Sequence, residues 1–353
     1  MRPRIAIVGT GAVGGYAGAH MAQAGEDIVF IDFWPENVET MRAKGLRISH
    51  IRDVPEFTVP VRALHVTDVQ TLAKQAPIDI AFVCVKSYDT AWATTMIAQY
   101  LSPAGFVVSL QNCMNEETVA GIVGWGRTLG SIASSITVDL CEAGHVRRAA
   151  GKSGAKHTVF RVGEVHGRVT ERAREVCRLV AYADSALITP NLWGERWSKL
   201  VINVMGNGLS ACTGLLSEDV IADDALRHFS SRLGSEAIRV GQALGYQLEE
   251  ILHLAPETIA RAGEGDPEAT HRVDEHRLAE AAKGGGEHRP SMGQDMVKGR
   301  RTEIEFLNGL VARKGAEIGL PTPANAALTD IVTRVERGEL KPDKRHIIDL
   351  RMN

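Results

Sequence analysis

The chain has 353 residues, of which 44% are hydrophobic and 24% charged, so it can bury the cores of two domains and is neither disordered nor fibrous. A formal net charge of −3 without a long basic run argues against nucleic acid or an anionic membrane as a partner. Five scattered cysteines without a CxxC pair predict a reduced cytoplasmic protein, with neither a disulfide framework nor a zinc site.

The first predicted elements form a strand–helix–strand unit. Residues 5–8 are a short apolar run, which predicts a buried strand rather than a signal peptide. Residues 16–24 predict a helix that ends at a glycine, and residues 27–31 predict a second strand. This order is typical of a βαβ unit.

A Gly-rich turn joins the first strand to the helix and matches GxGxxG through Gly9, Gly11 and Gly14. Gly9 permits a tight turn, Gly11 lets the backbone approach a pyrophosphate, and Gly14 lets the helix pack on the strand. The N–H groups at the helix N-terminus, around Ala12 and Val13, then face the phosphates. The alternative is a Gly-rich turn that binds no ligand.

Asp32 closes the second strand, 18 residues beyond Gly14. At this position an acidic residue accepts hydrogen bonds from the adenosine ribose of a dinucleotide. The alternative is an aspartate that caps the turn before Pro35.

Two further buried strands are predicted at residues 78–85 and 106–110. Lys86 and Asn112 follow them, and the C-terminal ends of strands face the ligand crevice of an open α/β sheet. Asn112 is suited to orient a nicotinamide or a substrate carbonyl. The alternatives are an ordinary surface lysine and a simple Asx turn. The remaining N-terminal elements are strands at 131–138, 158–162 and 186–188 and a helix at 168–179.

From residue 191 onward the pattern is helical, and residues 193–215 have the spacing of a buried helix. Lys199, Asn203 and Asn207 stand four residues apart, so each step drifts by only about 40° around the helix. A lysine among Trp, Leu and Val is unfavourable unless its charge is used, and burial makes its ammonium a better proton donor. The alternative is a lysine whose stem packs while its head reaches water.

Further helices are predicted at residues 223–243, 294–314 and 325–335, and residues 263–289 form a partly helical surface excursion ending in GGGEH. His271 and His276 are five residues apart with no cysteine nearby, so no metal site is expected there. Ser291 and Gln294 fit a capping box, and the Ser291 hydroxyl is also a candidate for the active site. Glu303 is predicted to lie on the helix that follows. The alternative to a role in the active site is that its side chain is simply solvated.

The sequence thus predicts an α/β protein, with a Rossmann-type doubly wound parallel sheet in a dinucleotide-binding domain at residues 1–188 and an all-helical substrate domain at residues 189–353. Together the motifs resemble the ketopantoate reductase (2-dehydropantoate 2-reductase) family. The resemblance spans most of the chain and rests on GTGAVGGY, VKSYD, LQN, WSKLVINVMGN, RPSMGQDM, EIEFLNG and GLPTPANAAL. It implies a helical domain similar to that of 6-phosphogluconate dehydrogenase.

The resemblance also implies roles for individual residues. Lys199 matches the family's catalytic lysine, which protonates the carbonyl oxygen as hydride arrives, and Glu303 matches its acidic partner. Substrate-contacting positions of the family match Asn203, Asn207 and Ser291, and positions near the cofactor match Lys86 and Asn112.

Three features differ from the family pattern. Members that make pantoate usually prefer NADPH and carry a basic residue where this chain has Asp32, which favours NAD here and leaves NADP as an option. The usual glycine after LQN is Cys113, and residues 250–290 lengthen the chain. Because of these three differences, the resemblance does not identify the substrate.

The hypothesis is hydride transfer between a nicotinamide and a small 2-oxo or 2-hydroxy acid such as 2-dehydropantoate. The alternatives are an NAD-dependent catabolic alcohol dehydrogenase and a dinucleotide sensor without turnover. The oligomeric state stays open, with a homodimer as one option.

Overall fold

The computed structural model describes residues 2–51, 54–134, 136–149, 151, 158–283 and 289–350. The chain divides into two compact units, Met1–Leu192 and Trp193–Asn353. The first unit combines sheets and helices and the second is helical, so the predicted α/β fold class is confirmed.

The described residues of the first unit form twelve strands. They are β1 (Arg4–Val8), β2 (Asp27–Asp32), β3 (Leu46–His50), β4 (Phe57–Val59), β5 (Arg62–His65), β6 (Ile78–Val83), β7 (Leu101–Ser109), β8 (Thr128–Ala133), β9 (Val138–Glu142), β10 (His145–Arg148), β11 (Phe160–Glu164) and β12 (Ala186–Ile188). Eight of them form the main sheet, in the order β12-β11-β8-β7-β6-β1-β2-β5. All neighbours in this sheet run parallel except the antiparallel pair β8 and β11.

The strand order places β1 between β2 and β6, so the chain reverses its direction of winding at β1. Ligands of open α/β sheets bind beside the C-terminal ends of the strands at such a switch point. The Gly-rich turn follows β1 and therefore lies at this edge of the sheet.

Helices cover both faces of the sheet: α1 (Ala12–Gln23), α2 (Pro35–Lys44), α3 (Thr90–Ala98), α4 (Glu116–Val123) and α5 (Glu171–Val180). Alternate side chains of a strand point to opposite faces. Ile5 and Ile7 of β1 accordingly share a buried cluster with Tyr16 of α1. Val8 belongs to a second cluster, together with Ala93 of α3. The buried runs of the central strands are therefore apolar on both faces, as in other parallel sheets.

A second sheet, which the sequence analysis did not predict, has the order β4-β3-β10-β9. The single strand expected at 131–138 is wrong, because β8 ends at Ala133 in the main sheet and β9 begins at Val138 in the small one. Thr137 between them has a φ of 37°, which interrupts an extended strand. In the small sheet, β3 pairs with β10. These strands are far apart in sequence, so no local sequence pattern predicts their pairing.

The second unit contains the helices α6 (Leu192–Thr213, starting at the unit boundary), α7 (Ser217–Ala222), α8 (Asp224–Ala243), α9 (Pro256–Gly263), α10 (Pro267–Lys283), α11 (Ser291–Val297), α12 (Asn308–Glu317), α13 (Pro323–Glu336) and α14 (Arg345–Ile348). Its β-structure, within the described ranges, is one bridge between Ile251 and Leu254. Most of the predicted excursion is the helix α10, while its GGGEH end lies outside the described residues.

The described helices include none that is both long and apolar enough to cross a membrane. Likewise, the described residues contain no cluster of three or more His, Cys, Asp or Glu side chains that could hold a metal ion.

The continuous helix predicted at 294–314 is wrong. The α11 helix stops at Val297, because Gly299 adopts a φ of 62°. The Arg300 N–H bonds to the Asp295 carbonyl at 2.8 Å and the Gly299 N–H to the Met296 carbonyl at 3.1 Å, which together form a Schellman motif. In the sequence, the end of α11 is indicated by Gly299, which follows Val297 and Lys298.

The capping box predicted at the start of this helix is not formed. Pro290 occupies the N-cap position, and Ser291 is the first helical residue. The Gln294 side chain donates to the Arg289 carbonyl at 3.0 Å instead of reaching back to Ser291.

Candidate active site

The Gly-rich turn is shaped by two glycines that have no room for a side chain. Gly9 has a φ of 94°, and a Cβ there would lie 2.8 Å from the backbone nitrogen of Val85. At Gly14 a Cβ would collide with the Gly9 carbonyl and lie 2.7 Å from the Cβ of Cys84. Gly11, by contrast, has no atom from a more distant described residue within 4 Å of its Cβ position. The turn is therefore packed on the sheet side and open beside Gly11, at the start of α1.

Asp32 is buried at the end of β2 and holds the Gly-rich turn in place. Its Oδ2 accepts a hydrogen bond from the Thr10 N–H at 2.7 Å. Its Oδ1 accepts one from the Trp34 N–H at 2.9 Å. Burial raises the pKa of Asp32, while the hydrogen bonds from Trp34 and Thr10 oppose that rise. The turn-capping role considered as an alternative is therefore present, and the Asn37 amide adds a longer contact of 3.4 Å to Oδ2.

Lys86 and Asn112 follow β6 and β7, two adjacent parallel strands, at the same edge of the sheet as the Gly-rich turn. Both are half-buried. The Asn112 carbonyl accepts a hydrogen bond from the Asn115 side chain at 2.7 Å. Buried Gln111, which the sequence analysis did not select, donates to the Val85 carbonyl at 2.7 Å and the Thr90 hydroxyl at 2.8 Å. These bonds tie the two loops to each other.

Cys113 is buried with a φ of 66°, in the left-handed region that favours glycine. This conformation explains why a glycine is usual at this position in the family that the motifs resemble.

We expect Cys113→Gly to be more stable than Cys113→Ala by about 1 kcal/mol, because a Cβ in the left-handed region is disfavoured by roughly that amount or more. Urea denaturation of both variants measures the difference. Ala91→Gly, at an exposed position of α3, is the matched control and should instead lose about 0.5–1 kcal/mol. Equal stability of the two Cys113 variants would show that the backbone is not strained.

The predicted buried helix is confirmed as α6, and its polar stripe is the distinctive feature of the second unit. Asn207 is buried, and Lys199 and Asn203 are half-buried. Within the described ranges, none of the three side chains forms a hydrogen bond or ion pair. Burial lowers the pKa of Lys199, although part of its side chain remains in contact with solvent. An amide or ammonium kept in such surroundings without a protein partner is available to a ligand.

The opposite side of α6 packs closely on its neighbours. Trp197 Nε1 donates to the Ala237 carbonyl at 2.8 Å, and a Cβ at Gly241 would collide with Trp197 Nε1 and lie 2.5 Å from Trp197 Cδ1. A Cβ at Gly234 would lie 2.8 Å from the sulfur of Met205. Two glycines of α8 thus let the two helices approach each other, which fixes the rotation of α6 and the direction of its polar stripe.

A buried amide network also holds α6, and the sequence analysis missed it. Asn308 donates to the Val204 carbonyl at 3.3 Å and to Asn325 Oδ1 at 2.9 Å. Asn325 in turn donates to the Glu236 carboxylate at 2.8 Å, which also accepts the Ala324 N–H at 2.9 Å. The signal was present, since EIEFLNG and GLPTPANAAL contain these two asparagines.

Asn325→Ala should lower the free energy of unfolding by about 2–3 kcal/mol, because it removes one hydrogen-bond partner from each of the buried side chains of Asn308 and Glu236. Urea denaturation measures the loss. Thr333→Ala on the same helix removes one hydroxyl that bonds within α13 and should lose less than about 1 kcal/mol. A small loss in both variants would contradict a structural role for the network.

Glu303 lies outside any α-helix, against the prediction. It is buried and precedes a 3₁₀ turn, Ile304–Phe306, where its carbonyl accepts the Phe306 N–H at 2.9 Å. Since Lys199 has no side-chain partner among the described residues, the expected pairing of Lys199 with Glu303 is not formed in this structure.

Ser291 opens α11, and this helix packs against α6. A Cβ at Gly293 would collide with the hydroxyl of Ser210. Ser210 lies eleven residues after Lys199, about three helical turns, so both residues fall on nearly the same side of α6. The second unit therefore brings α11 to the side of α6 that carries Lys199, Asn203 and Asn207.

Comparisons with known proteins cover nearly the whole chain. Residues 5–158 match a family model described as "Ketopantoate reductase PanE/ApbA", and residues 191–336 match "Ketopantoate reductase PanE/ApbA C terminal". The 2-dehydropantoate 2-reductase of Archaeoglobus fulgidus is 29% identical over 337 residues, covering 95% of this chain and 98% of that protein. That of Mesorhizobium japonicum is 28% identical over 359 residues, covering 95% and 99%.

Solved structures of other proteins are also similar to this chain over nearly its whole length. A PanE/ApbA family ketopantoate reductase from Ralstonia eutropha has a TM-score of 0.77 at 26% identity, covering 95% of this chain and 99% of that one. A D-mandelate dehydrogenase, solved with NADH and anilino(oxo)acetate, shares the fold with a TM-score of 0.76 at 21% identity, covering 95% and 99%. With both parts of the chain matched, the protein belongs to the ketopantoate reductase family and is an oxidoreductase that acts on CH–OH groups.

Proposed function

We propose that this protein transfers a hydride between a nicotinamide cofactor and a small 2-oxo or 2-hydroxy acid such as 2-dehydropantoate or pantoate. The observation that carries the proposal is the α6 stripe, in which Lys199, Asn203 and Asn207 are turned to one side with no partner within the described ranges. The curated relatives are 2-dehydropantoate 2-reductases, and this agrees with a 2-oxo acid as substrate.

The first unit is proposed to hold the dinucleotide, and the second to hold the substrate. The open space beside Gly11 and the N–H groups of Ala12, Val13 and Gly14 at the start of α1 suit a pyrophosphate, with Gly9 shaping the turn. Asp32 would accept the ribose hydroxyls, which favours NAD and disfavours the extra phosphate of NADP. The NADH in the D-mandelate dehydrogenase structure, a protein of the same fold, is compatible with this choice.

When bound, the nicotinamide supplies or accepts the hydride. In reduction, the Lys199 ammonium would give a proton to the carbonyl oxygen of the substrate while the cofactor supplies the hydride to the carbonyl carbon, which would leave the 2-hydroxy acid and the oxidised cofactor. Asn203 and Asn207 would donate hydrogen bonds to oxygen atoms of the substrate. Ser291 and Glu303 are proposed to contact the substrate hydroxyl or carboxylate, and Lys86 and Asn112 the nicotinamide end of the cofactor.

Two other functions compete with this one. An NAD-dependent catabolic alcohol dehydrogenase would use the same residues on a different substrate. A sensor that binds a dinucleotide without turnover needs the Gly-rich turn and Asp32. It gains nothing from a lysine and two asparagines that have no partner among the described residues, on a helix whose other side is tightly packed. The stripe therefore favours an enzyme.

The test is a set of reductions followed at the nicotinamide absorbance, with NADH and NADPH separately and with 2-dehydropantoate, phenylglyoxylate and simple aliphatic ketones as substrates. We expect turnover with at least one 2-oxo acid and none with ketones that lack the carboxylate. Turnover of simple alcohols or ketones alone would favour the catabolic alternative. NADH binding without turnover of any substrate would favour the sensor.

A further inference from the structure

Two large aromatic side chains are exposed next to each other in the first unit. Phe33 is 54% exposed and Trp92 is 38% exposed. Their ring centroids are 6.4 Å apart with an interplanar angle of 78°, so they meet edge to face. A single exposed aromatic residue needs no explanation, but two in contact present a continuous apolar surface to solvent.

The pair lies at the ligand edge of the sheet. Phe33 directly follows Asp32 at the C-terminal end of β2. Trp92 lies in the first turn of α3, shortly after the C-terminal end of β6. Because β2 and β6 flank β1 in the main sheet, the two rings meet beside the strand end that carries the Gly-rich turn.

Hydrogen bonds orient both residues and leave their rings unused. Trp92 Nε1 donates to Asp89 Oδ1 at 2.8 Å, so its one polar atom is satisfied. The His65 ring nitrogen Nε2 donates to the Phe33 carbonyl at 3.1 Å. These bonds anchor the residues through a polar atom or the backbone, and the aromatic surfaces stay available.

We propose that Phe33 and Trp92 form a stacking platform for the adenine ring of the dinucleotide. This inference rests on the proposed function, in which the adenosine ribose lies at Asp32. Adenine is bonded directly to that ribose, so a base in this complex must lie within a few ångströms of Asp32, and residue 33 is its neighbour in the chain. Adenine has no charge to pair, and a flat π-system is bound by aromatic side chains through stacking.

The platform predicts which parts of the cofactor the pair recognises. AMP and ADP-ribose contain the adenine and should sense both aromatic residues. Reduced nicotinamide mononucleotide lacks the adenine and should not. The two aromatic residues would therefore set the affinity for the cofactor, whereas Lys199 acts on the substrate.

The experiment is calorimetric titration of the full-length protein with AMP, ADP-ribose, NADH and reduced nicotinamide mononucleotide. Phe33→Ala and Trp92→Ala should each weaken AMP, ADP-ribose and NADH by about 5- to 150-fold, the range that aromatic–base stacking supports. Binding of the mononucleotide should be unchanged. Trp125→Ala is the matched control, because Trp125 is 52% exposed in the same unit, and it should change none of the affinities.

Conservative variants separate stacking from folding. Trp92→Phe and Phe33→Tyr keep a ring and should bind AMP within about threefold of wild type, and Trp92→Phe should reduce the quenching of tryptophan fluorescence by AMP.

The outcomes distinguish this inference from the function on which it rests. If wild type binds NADH but both alanine variants bind AMP as wild type does, the platform is refuted and the proposed function stands. The same holds if the variants change only the oligomeric state, because the pair is then an interface between copies of the chain. If wild type binds neither NADH nor NADPH, both the platform and the proposed function fail.

Discussion

Lys199→Ala is expected to lower kcat for carbonyl reduction by about 10²- to 10⁴-fold, the range of a positioned proton donor, while NADH affinity stays close to wild type. The Lys199 side chain lies on the polar stripe of α6 without a partner among the described residues, and burial lowers its pKa. The proposed phosphate contacts are at the Gly-rich turn of the first unit, so binding of the cofactor does not need this lysine.

The measurement is kcat of the folded variant, with NADH binding followed separately by fluorescence. Lys199→Arg should not restore activity, because a guanidinium does not release its proton at working pH. A fall of less than tenfold in Lys199→Ala would mean that Lys199 only packs, and the proton donor would then have to be sought at Lys86 or Glu303.

The pH dependence has a definite sign for this lysine. Burial places the pKa of Lys199 below its ordinary value of 10.5, so reduction, which needs the ammonium, should decline with rising pH before that value is reached. Below the folded pKa the buried ammonium lowers the stability of the protein, and this penalty shrinks as pH rises from the folded pKa towards 10.5. Lys199→Met should therefore be inactive but more resistant to urea than wild type at neutral pH, with a difference that narrows in alkali.

The second large effect expected is a preference for NADH over NADPH of one or more orders of magnitude in kcat/KM. A unit charge pair at about 4 Å in an effective dielectric near 20 is worth about 4 kcal/mol before screening by salt, so Asp32 and a 2′-phosphate would repel each other strongly. Steady-state kinetics with both cofactors on wild type tests this directly. Equal values, or a preference for NADPH, would contradict the role of Asp32 at the ribose.

Asp32 anchors the Gly-rich turn as well as being the proposed ribose contact, so its substitution is expected to have two effects. Because Asp32 also accepts the N–H groups of Thr10 and Trp34, Asp32→Arg removes an anchor of the Gly-rich turn and should weaken both cofactors. The informative quantity is the ratio of the two kcat/KM values, which should narrow or reverse. Asn37→Ala is the control, because the Asn37 amide lies 3.4 Å from the same carboxylate, and its loss should leave the ratio unchanged.

Lowering the pH should weaken the preference for NADH over NADPH. Burial raises the pKa of Asp32 above its ordinary value of 3.8, so its negative charge is present above the folded pKa and is lost as pH falls through it. The preference for NADH should begin to decline at a higher pH than that expected for an exposed aspartate.

Local patterns determined the central strands of the main sheet and the Gly-rich turn. The apolar runs that became β1, β2 and β6, the Gly-rich turn and the acidic end of β2 are all encoded by neighbouring residues, because a strand buried on both faces must be apolar along its length. The four-residue spacing of Lys199, Asn203 and Asn207 likewise predicted their common side on α6, since helix geometry alone sets that alignment.

Only the tertiary structure decided what those residues touch. The pairing of β3 with β10, the amide network from Val204 to Glu236 and the close approach of α8 to Trp197 all join residues distant in sequence, and no local period records such contacts. The sequence also indicated that Asp32 lies at the end of a strand. Its hydrogen bonds from the Thr10 and Trp34 N–H groups, however, depend on the fold of the turn. The sequence by itself therefore determined which chemical groups are present and, except for Glu303, which element carries each of them. The packing of distant segments decided which groups are already bonded within the protein and which remain for a ligand, because burial and partners arise only when the chain is folded.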